Sequence, residues 1–556
     1  MSRPADRGVS RSVDLVLHGG TVLTGVPSAP RARAVAVQRG FVVALDDDAL
    51  ALRARATESL DLDGGAVMAS FGDGHVHPLW GGVELAGPEV REAGSVAEVV
   101  EAVRRWADQH PDAPWVQGGP YEPTLAPSGR FDATWLDDAV RDRPVVLQSS
   151  DHHCAWVNSE ALRRAGIDAS TPDPPAGEVA RRADGTPMGT LVEWTAMDLV
   201  LRHAPRPSRT EREDGLVAAA RLFAAAGITW VQEAALTPGD VEVYLAAATA
   251  GRLDVRANIA LRADPARWSA QREEFLVARR AAEASPVADQ VSVRTVKMFA
   301  DGVVEAGTAA MLTPYEPFPG DTHGSCGLPV WSPEELAVAA AAFDADGFQL
   351  HVHAIGDAGV RATLDAFEHV ARGNGPRDRR PVLAHTQVVD PADLPRFAGL
   401  GVIANLEPLW AQLDPLQVAL TAPRLGPART AMQYPMASLL ASGAALSMGS
   451  DWPVSSYRPL AGLAVAVTRQ TDAGVPAGGW LGHERLPVAA ALAAYTQGVA
   501  FQAFEEASWG AVTPGRRADL VWLEADPSVT DPSDWPGLDV RGTWLAGRRT
   551  WTGGHP

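Results

Sequence analysis

The sequence predicts an α/β fold: a (β/α)8 barrel with a discontinuous β-sandwich built from the two chain ends and a cap subdomain inserted into the barrel. Three observations predict it. Eight short β-rich runs alternate with Ala-rich helical patterns through the middle of the chain. A second β-rich texture brackets them at both ends. Finally, about residues 95–215 separate the first barrel strand from the second, far more chain than the ~2–6 residues of an ordinary βα loop.

Taken in order, VDLVLHGGTVLTG, ARAVAVQRGFVVALD and ESLDLDGGAVM are β-branched runs punctuated by Gly and Asp turn signals. GAVTPGRRADLVWLEAD and DVRGTWLAGRRTWTGG repeat that pattern near the C-terminus, so residues 1–67 and 506–556 are expected to combine in one sandwich domain. Residues 68–505 are expected to form the barrel, with 95–215 as its cap. Its strands are read in VMASFGDGHVHP, ITWVQEAAL, DVRANIALRA, VSVRTVKMFADG, FQLHVHAIGD, PVLAHTQV, GVIANLEP and ALSMGSDWPV. The rival open doubly wound sheet requires a Gly-rich phosphate turn after its first strand, and none is present.

The composition narrows the function. A chain of 556 residues can hold a large catalytic domain and a smaller one. Its net charge of -20 offers no basic footprint for nucleic acid or an anionic membrane. No apolar run reaches the roughly 18 residues of a membrane span, and the N-terminal residues do not read as a secretory signal. With only Cys154 and Cys326 there is no disulfide framework, so the cytoplasm is the expected compartment. The expected partner is a small-molecule substrate, and a homodimer would be unsurprising.

Polar residues at the predicted strand ends carry the chemistry. His75 and His77 are two apart, a spacing that turns both side chains to one face of a strand. Lys297, His353, His385 and Asp451 end four further strands, and barrel closure gathers such ends around one axis. Lys297 is the sole lysine in a chain whose other cationic side chains are all arginine. A buried amine can be neutral and can combine with carbon dioxide as a carbamate that bridges two cations; a guanidinium cannot. A Schiff-base lysine and an ordinary ion-paired lysine are the competing roles, the first needing no histidine cluster, the second tolerating arginine.

FGDGHVHP, VKMFADG, HVHAIGD, AHTQ and MGSDWPV, in that order, resemble the amidohydrolase superfamily, and within it the family 3 branch that includes N-substituted formamide deformylases. The resemblance runs from about residue 13 to 550. It implies a distorted barrel and up to two divalent ions, usually zinc. It implies His75, His77, His353 and His385 as ligands, carboxylated Lys297 as the bridge and Asp451 as ligand and base. Two departures stand out: Ala69-Ser70 replaces the usual Pro-Gly, and Ala384 replaces the Glu that commonly precedes the sixth-strand histidine.

The expected activity is metal-dependent hydrolysis of a C–N bond in a small amide, an N-substituted formamide or N-acyl amine, with Asp451 shuttling the proton. A mononuclear deaminase or cyclic-amide hydrolase is the alternative. The deaminase-type Glu three residues after the fifth-strand histidine is here Gly356. A metal-binding homologue without activity is the third reading. His153, in SSDHHCAWVNSEAL, is a candidate for substrate contact or a structural histidine. Trp80, Trp410 and Trp452 either line an apolar substrate pocket or pack the rim. His351 reads as packing or support behind the ligands, and Asp357 as a helix cap or a partner of His353.

Overall fold

The computed structural model describes residues 12–319 and 326–553, so the outermost parts of the two expected sandwich segments lie outside the described residues. Eight parallel strands form the central sheet: β1 (Phe71–Val76), β2 (Ile228–Leu236), β3 (Arg256–Arg262), β4 (Val291–Phe299), β5 (Gln349–Ala354), β6 (Val382–His385), β7 (Ile403–Leu406) and β8 (Ala445–Met448). They follow one another in chain order across the sheet. All eight lie where the β-rich runs predict them.

The barrel closes between β8 and β1 without a regular ladder. The Asp451 amide donates to the His75 carbonyl at 2.8 Å, and Ser450 bonds the Asp73 carboxylate through its amide and its hydroxyl. Gly449 passes so near His75 that an added Cβ would lie 2.7 Å from the His75 nitrogen. Much of the lower interior is polar rather than aliphatic. Gln232, Asn258, Thr295 and Gln349 are linked by hydrogen bonds on one side, and Asn405, Ser447 and Gln502 on the other. Apart from the Asn405 Oδ1, which is left without a donor, the buried amides and hydroxyls there find partners inside the network, which fixes strand register as well as filling space.

The run VMASFGDGHVHP is not one strand. Ala66–Ala69 belongs to the terminal sheet and β1 starts at Phe71. Ser70 is the pivot: its amide bonds the Asp519 carbonyl on the terminal side, while its hydroxyl meets Thr229 of the barrel at 2.6 Å. Strands from both chain ends share that terminal sheet, which is a single eight-stranded sheet rather than two separately bonded layers. Val13–Leu23 gives its first half to Ala56–Asp61 and its second to Ala66–Ala69. The Val42 amide bonds the Arg516 carbonyl, bringing the far edge back over the core around Leu15, Leu17, Val35, Val37 and Trp544.

Between β1 and β2 lies the inserted unit, with a five-stranded sheet from Val116 to Val192. The expected boundary at 215 falls inside the helix Arg209–Ala225, which packs on the barrel and is opened by a capping box between Ser208 and Glu211. Among the described residues no helix is long and apolar enough to cross a membrane.

Candidate active site

The C-terminal ends of the barrel strands and the inserted unit enclose a cavity of about 510 Å³. His75, His77, Lys297, His353, His385 and Asp451 all reach its wall, together with His153, Trp80 and Trp410. Alternation along β1 sends His75 inward, and His77 follows one step later at the head of the helix Pro78–Glu84. Near the end of β4, Lys297 is in register with His351 on β5, and Phe299, its last residue, with His353. Asp451 and His385 both have positive φ, 52° and 73°. Non-glycine residues occupy that region only when surrounding contacts hold them there. For Asp451 the holding contact is its amide bond to His75.

The tightest group is His75, His77 and Asp451, whose ligand atoms lie within 4.8 Å of one another. Asp451 Oδ1 is 3.1 Å from His77 Nε2 and 3.6 Å from His75 Nε2. Lys297 Nζ lies 3.1 Å from His75 Nε2. His385 and His353 stand beside this group, their rings 4.5 Å apart and His385 4.7 Å from His75. His353 commits Nε2 to the Gly302 carbonyl at 3.0 Å, which leaves Nδ1 as the nitrogen available to a ligand.

Burial sets the protonation of this cluster. It holds His75 and His353 well below the ordinary histidine value and His385 at about 3, so these imidazoles are neutral, the form a metal requires. His77 is the exception. Burial disfavours its charge, but Asp451 and Glu233 outweigh that and raise it to about 9. The same His77 contact keeps Asp451 below its ordinary value against the penalty of burial. Burial lowers Lys297 to about 7, giving the amine a substantial neutral fraction at physiological pH. Lys297 forms no ion pair among the described residues; the Phe299 ring lies 4.8 Å from its Nζ.

The donor set fits a divalent cation. Buried Asp451 Oδ1, Glu407 Oε1 and Glu233 Oε1 lack hydrogen-bond donors, and three neutral imidazoles converge on the same space. Several supporting residues escaped the sequence reading. Glu407, at the end of β7, accepts from His385 Nδ1 at 3.0 Å and so supplies from the next strand the carboxylate that Ala384 cannot. Glu233 lies 3.6 Å from His77 Nδ1 and accepts from Tyr244 at 2.5 Å. Glu193 accepts from His153 Nδ1 at 2.8 Å. A fully buried carboxylate on an apolar strand, as in ITWVQEAAL and ANLEP, is the signal that could have found two of them.

Other residues fall differently from expectation. His351 does support the cluster, with Nε2 2.8 Å from His75 Nδ1. Asp357 does not touch His353; its carboxylate accepts the Leu312 amide, and Asp301 is the carboxylate near His353, at 3.8 Å. Trp410 stacks on His385 with ring centroids 5.3 Å apart, and Trp80 meets His77 edge-on. Trp452 is not on the cavity wall: it is buried against Phe223 and Tyr457, over Gly81. Trp194, from the inserted unit, is the third indole of the cavity.

A family model described as the amidohydrolase family matches residues 58–551. The chain is 30% identical over 549 residues to the LONG AFTER FAR-RED 3 protein of Arabidopsis thaliana, covering 96% of this chain and 91% of that one. It is 26% identical over 559 residues to the N-substituted formamide deformylase of Arthrobacter pascens, covering 96% and 97%. Among solved structures, a metal-dependent hydrolase from Pyrococcus horikoshii OT3 superposes with a TM-score of 0.72 at 20% identity, over 93% of this chain and 99% of that one, a likeness of fold.

Proposed function

Because this chain belongs to the amidohydrolase family, we propose that it is a metal-dependent hydrolase of small amides, cleaving the C–N bond of an N-substituted formamide or N-acyl amine. The observation that carries this reading is the convergence of His75, His77 and Asp451 on one buried point beside the chain's single lysine. His75, His77, His353, His385 and Asp451 would hold up to two divalent ions, zinc being suited to imidazole and carboxylate donors. Lys297 would join them as a carbamate: its neutral amine attacks the carbon of carbon dioxide and gives a proton to solvent, and the resulting carboxylate would supply further oxygen donors. A cation held there would supply a water nucleophile at neutral pH and polarise the substrate carbonyl.

The protein's own groups do the rest. Asp451 accepts a proton from the attacking water and returns it to the nitrogen as the C–N bond breaks, releasing a carboxylic acid and an amine. Its closeness to His77, with Oδ1 3.1 Å from Nε2, supports this role. His153, protonated by its pairing with Glu193, faces the developing oxyanion. Trp80 and Trp410 confine an apolar substituent. The likeness to a formamide deformylase makes formamides the first class to assay. Unpaired Cys154 and Cys326 support a cytoplasmic setting.

The decisive experiment is metal analysis of wild type and Lys297→Arg, purified alike with zinc and bicarbonate. We expect about two ions per wild-type chain and about one or none in the variant, with formamide cleavage lost in parallel. Equal metal content in the two proteins would remove the carbamate bridge.

A further inference from the structure

Arg262 is the last residue of β3 and pairs in register with Lys297 on β4. Register partners in a parallel ladder present their side chains to the same face, so Arg262 stands on the cavity side, one strand away from the ligand cluster. It lines the cavity and is exposed to it.

Its guanidinium carries five donors in a planar fork matched to a carboxylate. Among the described residues Arg262 has neither a hydrogen-bond acceptor nor an ion-pair partner for its side chain. Its one close contact is the face of Trp194, 5.5 Å from the ring centroid. Asp198 and Asp264 are the carboxylates whose field reaches it, and neither pairs with it. Arg91, the other arginine on the cavity wall, is by contrast committed to the carbonyls of Pro453 and Val454. Trp194 adds a second unused donor, for its buried Nε1 has no acceptor.

Four carboxylates elsewhere on the wall are opposite in charge to this corner. Glu122, Asp151, Glu305 and Asp414 line the cavity, and each already accepts hydrogen bonds from neighbouring groups of its own loop or an adjoining one. An anionic ligand group is repelled from them and drawn to the unpaired fork of Arg262.

We infer that the substrate carries a carboxylate, and that Arg262, backed by the Trp194 face and its Nε1–H, is the residue that selects it. This rests on the amide-hydrolase reading for the reaction but not for the binding. The substrate would then be an amide whose amine or acyl part bears an acid, presented with its C–N bond to the cluster around Asp451.

The test measures binding and turnover on the metal-loaded full chain. Titration calorimetry compares 3-phenylpropanoate with 3-phenylpropanamide, and steady-state assays compare racemic N-formylphenylalanine with N-formyl-2-phenylethylamine. For wild type the acid is expected to win by about tenfold or more in each pair, the size of a charge-assisted hydrogen bond. Arg262→Met should bring both ratios to about one, and Arg262→Lys should retain part of the preference as a charge without the fork. Equal binding of acid and amide by wild type, or an unchanged ratio in Arg262→Met, overturns the inference. Arg262-dependent preference for the acid with no hydrolysis of either formamide would sustain it and sink the hydrolase reading. Hydrolysis with no acid preference would do the reverse.

Discussion

At the scale of single residues, the site is built on compensated burial, and His153 shows the balance most clearly. Its ring is buried, which by itself favours the neutral form, yet Glu193 at 2.8 Å raises it to about 9. Glu193 is itself held from the other side by Thr308. The folded value lies above the ordinary histidine value of 6.5, so the pair stabilises the fold fully below that pH and ceases to do so as pH rises through about 9. The linked free energy is on the order of 3 kcal/mol at its maximum. Glu193→Gln should therefore lie furthest below wild type in urea unfolding near pH ~6 and approach it near pH ~10. A gap that stays constant across that window would mean that the imidazole is neutral throughout, and His153 would lose its proposed role as a donor to the oxyanion.

Elements position those residues through contacts closer than side chains allow. The helix Pro78–Glu84, which begins just after His77 and carries Trp80, touches Arg209–Ala225 backbone to backbone. A Cβ at Gly82 would lie 2.1 Å from the Gly215 carbonyl oxygen, and one at Gly215 2.7 Å from the Gly82 carbonyl carbon. Gly82→Ala must push the helices apart, at a cost of about 1–3 kcal/mol by the usual penalty of overpacking. The displaced helix should also weaken metal retention at His77. Unfolding in urea and titration with a zinc chelator check both; wild-type values in the two measurements would show that this contact sets nothing at the site. The same scale explains what the sequence could reveal. All eight barrel strands were legible because each is a local run of β-branched and apolar residues, and His75, His77 and Asp451 because they stand at the ends of such runs. Glu407 and Glu233 were not, because their role is defined by a neighbour on another element: Glu407 serves His385, 22 positions away in sequence. The break at Ser70 was hidden because its cause, the Asp519 carbonyl, is more than four hundred residues distant. The Ser208–Glu211 capping box, by contrast, was readable and would have placed the end of the inserted unit before residue 215.

Across the whole molecule, the terminal sheet is locked to the barrel by a buried ionic joint. Asp519, adjacent to the strand Leu520–Leu523, accepts from Arg256 at the start of β3 at 2.8 Å, from Arg517 at 3.2 Å and from the Ala546 amide at 2.6 Å. Its own backbone carbonyl accepts from the amide of Ser70, where the chain leaves the terminal sheet for β1. The side chains of Asp519 and Arg256 are 1% and 10% exposed, so the pair is too dry for water to replace either partner. Removing one member of such a pair leaves the other charge buried and typically costs about 3–5 kcal/mol, whereas replacing both by apolar residues is often nearly neutral. Asp519→Ala should thus destabilise the chain strongly and separate the unfolding of the terminal sheet from that of the barrel, seen as a second transition in calorimetry. The double variant Arg256→Met, Asp519→Leu should recover part of the loss, since the buried Arg256 charge is gone and Arg517 keeps Glu505, leaving only the Ala546 amide without its acceptor. If Asp519→Ala unfolds in one transition near the wild-type temperature, the joint does not couple the two parts. In that case the path from Asp519 through Ser70 to the histidines of β1 cannot be what holds the site in register with the terminal sheet.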